Sequence, residues 1–126
     1  MTMLERGKKI VGWVLHGLIG ALLIFAGAMK LLNLIPPEAV AEMAKQGLTG
    51  KLHLIGAGEA ITAVALLIPR TMSLGLLLAS GFWGGVICLH MTHDESYVGY
   101  AVALVLTWLG AYLRDRRTFA SFSGPR

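Results

Sequence analysis

The sequence predicts an all-α, polytopic membrane protein: a four-helix transmembrane bundle with a short interfacial helix in its first outer loop. Composition is the first reason, because 56% of the residues are hydrophobic, 14% are charged and the mean hydropathy is +0.68. A soluble domain carries about 25% charged residues, so this chain has too few to cover a water-facing surface. The second reason is the presence of four long apolar runs. The length of 126 residues allows one domain, residues 1–126.

The four apolar runs are the predicted membrane spans. A helix rises about 1.5 Å per residue and must cross a hydrocarbon core of about 30 Å. The first run meets this requirement most clearly, whereas the second and fourth lie at the lower limit of about 17 residues. The first run also resembles a signal peptide ending at Ala26-Gly27-Ala28, but its length and the apolar runs that follow favour a retained span. The predicted spans are residues 10–32, 52–68, 72–90 and 97–113.

One sizeable loop separates the first two spans. Pro36-Pro37 ends the first helix, and residues 38–46 then have the pattern of a short helix that stops at Gly47. We expect this segment to be an amphipathic helix at the outer interface or over the bundle, or else an ordinary connecting turn. The final residues, 118–126, have the composition of a loose tail.

The charges predict which way the bundle faces. Eight of the eleven basic residues belong to the N-terminus, the turn between the second and third spans, and the C-terminal segment. The positive-inside rule therefore places both termini in the cytoplasm. Because topology explains the net charge of +4, we expect no nucleic-acid partner. The single cysteine, Cys88, excludes an internal disulfide and a C-x-x-C motif.

Polar residues inside the apolar helices are the candidate site. Small and polar residues of the first helix recur every three or four positions, which places them on one stripe that we expect to face the interior: His16, Gly20, Leu23, Gly27 and Lys30. Gly56, Glu59 and Ala63 have the same spacing in the second span. Glu59 is the strongest candidate because an ionisable group at membrane depth is costly. Lys30 is placed to form either a functional or a purely structural ion pair with it.

The histidines extend this site in the outer half of the bundle. His90 ends the third span and is suited to act as an acid, a base or a hydrogen-bond donor, so Glu59 and His90 are the candidate catalytic residues. With His93 they have the residue types of a metal site, but no spacing signature supports one and we predict none. His53 lies about 120° around its helix from Glu59 and does not pair with it. The candidate ligand-binding residues are Lys30, Glu59, His90, Trp83 and His53.

Several short motifs, in order along nearly the whole chain, resemble the DoxX-like family of small bacterial membrane proteins. They are Phe25-Ala26-Gly27-Ala28-Met29-Lys30, Gly56 with Glu59, Ile68-Pro69-Arg70-Thr71, Gly84-Gly85 with His90, and Tyr112-Leu113-Arg114-Asp115. The resemblance implies a multi-pass four-helix bundle in the bacterial cytoplasmic (inner) membrane. It also implies an association with a quinone-linked oxidoreductase and importance for Lys30, Glu59 and His90.

Three functions remain open at this stage. The leading hypothesis is a membrane subunit that binds a lipophilic molecule, with quinone as the cofactor class, and is linked to an oxidoreductase partner. The second is a small membrane isomerase, cyclase or hydrolase that uses Glu59 and His90 for acid–base catalysis on an apolar substrate. The third is an assembly partner without a site, which forms a homo-oligomer or binds another protein through the glycine-rich face of the third span.

Overall fold

The computed structural model describes residues 2–122, which are helical over most of their length and contain no strand. The all-α prediction is therefore confirmed, and the predicted loop helix is present. Each long helix matches one apolar run to within a few residues, apart from an N-terminal extension of the first. The helices are α1 (Met3–Leu31), α2 (Pro37–Lys45), α3 (Leu52–Leu67), α4 (Met72–Thr92) and α5 (Val98–Arg114). Turns of 3₁₀ helix cover Pro69–Thr71 and Arg116–Phe122.

The four long helices form a ring. α1 packs against α3 and α5, and α4 packs against the same two helices, so α1 and α4 lie at opposite corners. Short connections between α3 and α4 and between α4 and α5 make sequential helices antiparallel. The N-terminus of α1, the α3–α4 turn and the C-terminus of α5 therefore share one end, called here the inner end. The opposite, outer end carries α2.

Local sequence signals set the helix boundaries. At the start of α1, Thr2 accepts a hydrogen bond from the backbone N–H of Glu5, and the Glu5 carboxylate accepts one from the backbone N–H of Thr2. This capping box satisfies two backbone donors that the first helical turn leaves free. α2 starts at Pro37 and is followed by Gly47 with φ +82°, the left-handed conformation that favours glycine.

The bundle interior mixes apolar with polar side chains. The predicted stripe of α1 faces inward, since His16, Gly20, Leu23 and Gly27 are buried and the Lys30 side chain is only 11% exposed. Leu66, Leu76 and Ala111 belong to the apolar core. Five polar or charged residues are also buried: His16, Glu59, Thr62, Thr107 and Arg114.

The outer surface of the helices is largely apolar. Large apolar side chains are exposed in the middle turns of every long helix, including Leu18, Ile61, Leu77 and Val105. Two helical segments, Met3–Leu31 and Pro69–Thr92, are long and apolar enough to cross a membrane. α3 and α5 are apolar but shorter, at 16 and 17 residues.

The structure defines the orientation of α4. Trp83 is buried in the core, whereas Gly81, Gly84 and Gly85 each have space beside them, since an added Cβ would meet no atom within 4 Å. The expectation of a loose tail is wrong for residues 118–122, which belong to the final 3₁₀ segment. Phe119 there packs against Trp108 and Tyr112, with ring centroids 5.4 and 5.7 Å apart. Residues 123–126 lie outside the described part of the chain.

Candidate functional site

A buried ion pair joins α1 to α3 near the outer end. Lys30 Nζ lies 2.7 Å from Glu59 Oε1, and the Glu59 side chain is only 4% exposed. The two helices approach closely at the level of the pair, because Gly27 and Gly56 face each other. A Cβ added at Gly27 would lie 2.7 Å from the carbonyl oxygen of Gly56. The missing side chains therefore allow the backbone contact that brings Lys30, one turn after Gly27, to Glu59, one turn after Gly56 on the antiparallel helix.

The polar groups of this region differ in their partners. Lys30 Nζ lies 2.7 Å from Glu59 Oε1, so the ammonium engages this carboxylate oxygen. The indole N–H of Trp83, a residue only 4% exposed, has no hydrogen-bond partner among residues 2–122. An unsatisfied buried polar group costs about 1 to 3 kcal/mol, so such atoms are scarce in folded proteins. Here the Trp83 N–H, without a partner, and the ion-paired Glu59 Oε1 lie in the same part of the bundle.

Both atoms belong to residues that line a partly open cleft of about 840 Å³. Its walls come from α1, α3, α4 and α5 and are mostly apolar, with Leu22, Ile61 and Phe82 among them. Sites for small molecules have volumes of about 300 to 1,000 Å³, apolar walls and a few polar groups. The cleft has all three properties, since Lys30, Glu59, Trp83 and His90 supply polar atoms to an apolar wall.

His90 reaches the cleft with its Nδ1 hydrogen-bonded. Its Nδ1 lies 2.8 Å from the carbonyl oxygen of Val86, and since a carbonyl only accepts, Nδ1 must carry the hydrogen. Its Nε2 has no hydrogen-bond partner within residues 2–122. The ring packs on Tyr100, with centroids 4.5 Å apart. His90 therefore has one unoccupied ring nitrogen on a ring held by two contacts.

The segment around α2 covers part of the cleft. Met43 of α2 and the following Gln46 and Leu48 contribute to its lining. The Gln46 amide donates to Glu95 Oε1 at 3.0 Å, which links this loop to the α4–α5 loop. Of the alternatives that the sequence left open, the structure favours the helix that lies over the bundle.

Most of the predicted site residues come together, but His53 does not. Lys30, Glu59, Trp83 and His90 all line the cleft. His53 is exposed, and its Nε2 lies 2.8 Å from the side-chain oxygen of Asn33. Its position on α3, about 120° from Glu59, turns it away from the cleft. His93 is also exposed and bonds to the carbonyl of Leu89. No cluster of three or more His, Cys, Asp or Glu side chains suited to a metal occurs within residues 2–122.

A second polar cluster lies near the inner end and was not predicted as a unit. His16 is fully buried, and its Nε2 lies 2.8 Å from the carbonyl of Thr107, as expected for an interhelical hydrogen bond. The Arg114 guanidinium donates to His16 Nδ1 at 2.8 Å and to the carbonyl of Leu66. Because Arg114 can only donate, Nδ1 is the acceptor and Nε2 carries the hydrogen, so His16 is neutral. Arg114 also stacks on Trp13, with its central carbon 3.7 Å from the ring centroid.

The sequence held a signal for this cluster. Thr107, Gly110 and Arg114 recur at three and four positions and so share one face of α5. All three are buried against α1, where Gly12 and Gly110 let the two backbones approach. The sequence patterns place Arg114 at the basic inner end and in the Tyr112-Leu113-Arg114-Asp115 motif, and neither of them predicts its burial.

Together these features define a class: an all-α four-helix bundle with an apolar exterior, a buried lysine–glutamate pair and a ligand-sized cleft beside it. Comparison of the chain with protein-family models, with curated proteins and with solved structures finds no match.

Proposed function

We propose that this protein is a four-span integral membrane protein that binds a lipophilic small molecule in the cleft beside Lys30 and Glu59. The observation that carries the proposal is the buried Trp83 indole N–H without a partner, which lies with the Lys30–Glu59 pair on an apolar cleft of about 840 Å³. A ligand with an apolar body and a polar head would accept from the indole N–H and fill the space. The unoccupied hydrogen-bonding capacity is difficult to explain for a purely structural bundle.

The polarity of the bundle supports its placement in a membrane. Large apolar side chains face outward along every long helix, and charged groups such as Glu59 and Arg114 face inward. In water this arrangement would expose a large continuous apolar surface, which soluble monomers avoid. In lipid it is favourable, provided that inward polar groups find partners. The proposal includes the short helices α3 and α5 as spans.

The charges support an orientation with both termini in the cytoplasm. Arg6, Lys8 and Lys9 precede the apolar part of α1, and Arg70 lies in the α3–α4 turn at the same end. The positive-inside rule assigns this end to the cytoplasm. The resemblance to the DoxX-like family agrees with this topology and adds the bacterial inner membrane to the proposal.

The chemistry of the head group follows from the polar groups of the cleft. The Trp83 N–H requires an acceptor such as a carbonyl oxygen, and the Glu59 carboxylate, which has several lone pairs, can accept from a hydroxyl in addition to its contact with Lys30. A quinone presents carbonyl oxygens and its reduced form presents hydroxyl groups, so this class fits the residues in either state. Lys30 keeps Glu59 paired with a positive charge, and the apolar walls accept an isoprenoid tail.

An acid–base enzyme is the second candidate. Its specific support is the unoccupied Nε2 of His90, which in the neutral ring can accept a proton, in the same cleft as the Glu59 carboxylate. This function requires turnover of an apolar substrate that falls in both Glu59→Gln and His90→Ala. The binding function requires only that the ligand be retained.

The test compares two lysine–glutamate pairs of the same chain. Glu59→Gln removes the charge of the buried pair, and Glu42→Gln is the matched control, because the Glu42–Lys45 pair is exposed. We expect the purified wild-type protein to bind a short-chain benzoquinone, and Glu59→Gln to weaken binding by about tenfold or more, as expected for a hydrogen bond to a charged group. Equilibrium dialysis measures the affinity, and mass spectrometry identifies lipophilic molecules that co-purify.

Two results would contradict the proposal. One is a wild-type protein that retains no lipophilic molecule and does not bind the benzoquinone. The other is equal binding by the wild type, Glu59→Gln and Glu42→Gln, which would remove the cleft from any role.

A further inference from the structure

A second pocket lies at the inner end of the bundle, away from the cleft. Its volume is about 430 Å³, and it is formed where the first turns of α1 meet the end of α5 and the segment that follows. Five basic and two acidic residues line it, which gives a formal charge of +3. Ligand binding in the cleft gives this second pocket no role.

The two acidic residues are already engaged by neighbours. Asp115 accepts three side-chain contacts from Arg117, at 2.8 to 3.2 Å, and this interaction holds the pKa of the Asp115 carboxyl below its usual value. Glu5 accepts the hydrogen bond of the capping box. Arg117 and Arg114 are therefore occupied, Arg117 by Asp115 and Arg114 by His16 and the end of α3.

Three cations of the pocket remain available. Lys8 and Lys9 form no hydrogen bond or ion pair with other side chains of residues 2–122, although the charge of Lys9 helps to lower the pKa of Asp115. The Arg116 guanidinium lies over the ring of Tyr112, 5.5 Å from its centroid. All three are exposed. Two ammonium groups and one guanidinium at one concave site match the charge and the oxygen acceptors of a phosphate group.

Apolar surface begins directly beside these cations. Ile10 follows Lys9 on α1 and is 57% exposed, and Tyr112 lines the pocket on α5 and is 41% exposed. A free phosphate ion would make no use of such a surface. A phospholipid would, since its acyl chains extend from the phosphate along the apolar sides of the helices.

We propose that this inner-end pocket binds the phosphate of an anionic phospholipid, with Lys8, Lys9 and Arg116 as the contacting cations. The inference relies on the membrane placement in the Proposed function but not on the cleft or its ligand. A phosphate group is the shared chemistry of a lipid headgroup and free phosphate, and the adjoining apolar surface favours the lipid.

The experiment compares two double variants of the full chain, each lacking two positive charges. Lys8→Gln with Arg116→Gln removes cations from the pocket, and Lys45→Gln with Lys51→Gln removes two from the outer end. Native mass spectrometry from detergent measures retention of phosphatidylglycerol against phosphatidylcholine. We expect the wild type and the outer-end variant to prefer phosphatidylglycerol. The pocket variant should bind it roughly 30-fold more weakly, a factor of about five for each basic residue.

Four results distinguish the alternatives. Equal retention of both lipids by the wild type, or equal losses in the two double variants, would overturn the proposal. Displacement of phosphatidylglycerol by millimolar inorganic phosphate would overturn the lipid assignment and identify free phosphate as the ligand. Binding of an acidic peptide without lipid preference would overturn it in favour of a protein partner. Resistance to carbonate extraction tests membrane insertion separately, so a failure of the Proposed function is recognised independently.

Discussion

The bundle contains an inner polar cluster (His16, Thr107 and Arg114) and an outer one (Lys30, Glu59 and Trp83). The two clusters lie at similar helix contacts but differ in how fully their polar atoms are hydrogen-bonded. Each lies where glycines let α1 approach a neighbour, α5 at the inner cluster and α3 at the outer one. At the inner cluster both ring nitrogens of His16 are bonded, and Arg114 donates to His16 and to the end of α3. At the outer cluster Glu59 is paired with Lys30, but the Trp83 N–H lacks a hydrogen-bond partner among residues 2–122, and a cleft lies beside them.

The two clusters differ in how completely their polar atoms are hydrogen-bonded. Both clusters bear the desolvation cost of a buried charge, so burial alone does not distinguish them. The inner cluster holds α1, α3 and α5 together through one guanidinium, whereas the outer cluster leaves the Trp83 N–H without a partner in the described part of the chain. This difference is the basis for proposing a ligand at the outer cluster and a structural role for the inner one.

The largest effect should come from breaking the inner cluster. Arg114→Met keeps a long side chain but leaves the Leu66 carbonyl and His16 Nδ1 without donors. Each unsatisfied buried acceptor costs about 1 to 3 kcal/mol, so we expect a loss of roughly 2 to 6 kcal/mol in the free energy of unfolding. Denaturant titration in detergent micelles measures it. Arg117→Met is the control, since Arg117 is exposed, and an equal loss there would refute a special role for Arg114.

A smaller effect is expected from separating α1 and α3. In Gly27→Ala the new methyl group would lie 2.7 Å from the Gly56 carbonyl oxygen, so the helices must move apart. We expect about 1 to 3 kcal/mol of destabilisation, typical of overpacking, together with weaker binding of the benzoquinone because Lys30 moves from Glu59. Gly17→Ala is the control, since Gly17 has no atom near an added Cβ. Should both variants behave alike, the close contact does not position the pair.

The smallest change in stability should come from Trp83→Phe, and Trp108→Phe is the variant to compare it with. Trp83→Phe removes a donor that has no partner, so the loss of ring volume is partly offset and the stability changes little. Trp108→Phe removes a hydrogen bond of 2.8 Å to Ser80 Oγ, with an expected net cost of about 1 kcal/mol. Benzoquinone binding should show the reverse order, weakened by Trp83→Phe and unchanged by Trp108→Phe. If Trp108→Phe caused the larger loss of both stability and benzoquinone binding, the Trp83 N–H would not be a ligand contact.

Helical spacing predicted much of this architecture. The repeat through His16, Gly20, Leu23, Gly27 and Lys30 placed these residues on one inward face, and the Lys30–Glu59 contact followed from their depths in adjacent helices. Spacing could not reveal the cleft, because a cavity depends on the volumes that several helices leave between them. Nor could it reveal that Gln46 would reach Glu95, since that contact joins two loops far apart in sequence.

The surroundings of two residues, His53 and Arg114, also have a physical explanation. His53 is a candidate ligand-binding residue, but its position about 120° from Glu59 on α3 directs it to Asn33. Arg114 is one of several basic residues at the inner end, and its spacing from Thr107 and Gly110 turns it inward. In both cases the angular position on the helix decided the environment, whereas distance from the helix end did not.

In the proposed membrane placement, the unequal lengths of the helices would affect the surrounding bilayer. α1 has 29 residues and a length of about 44 Å, whereas α3 has 16 residues and a length of about 24 Å. Since a hydrocarbon core is about 30 Å thick, α1 would tilt or protrude, and lipid beside α3 would thin or the ends of α3 would be pulled inward. We expect the bundle to be most stable in short-chain bilayers, which thermal unfolding across lipids of increasing acyl length would measure. Hydrophobic mismatch would then favour thin regions of the membrane for this protein.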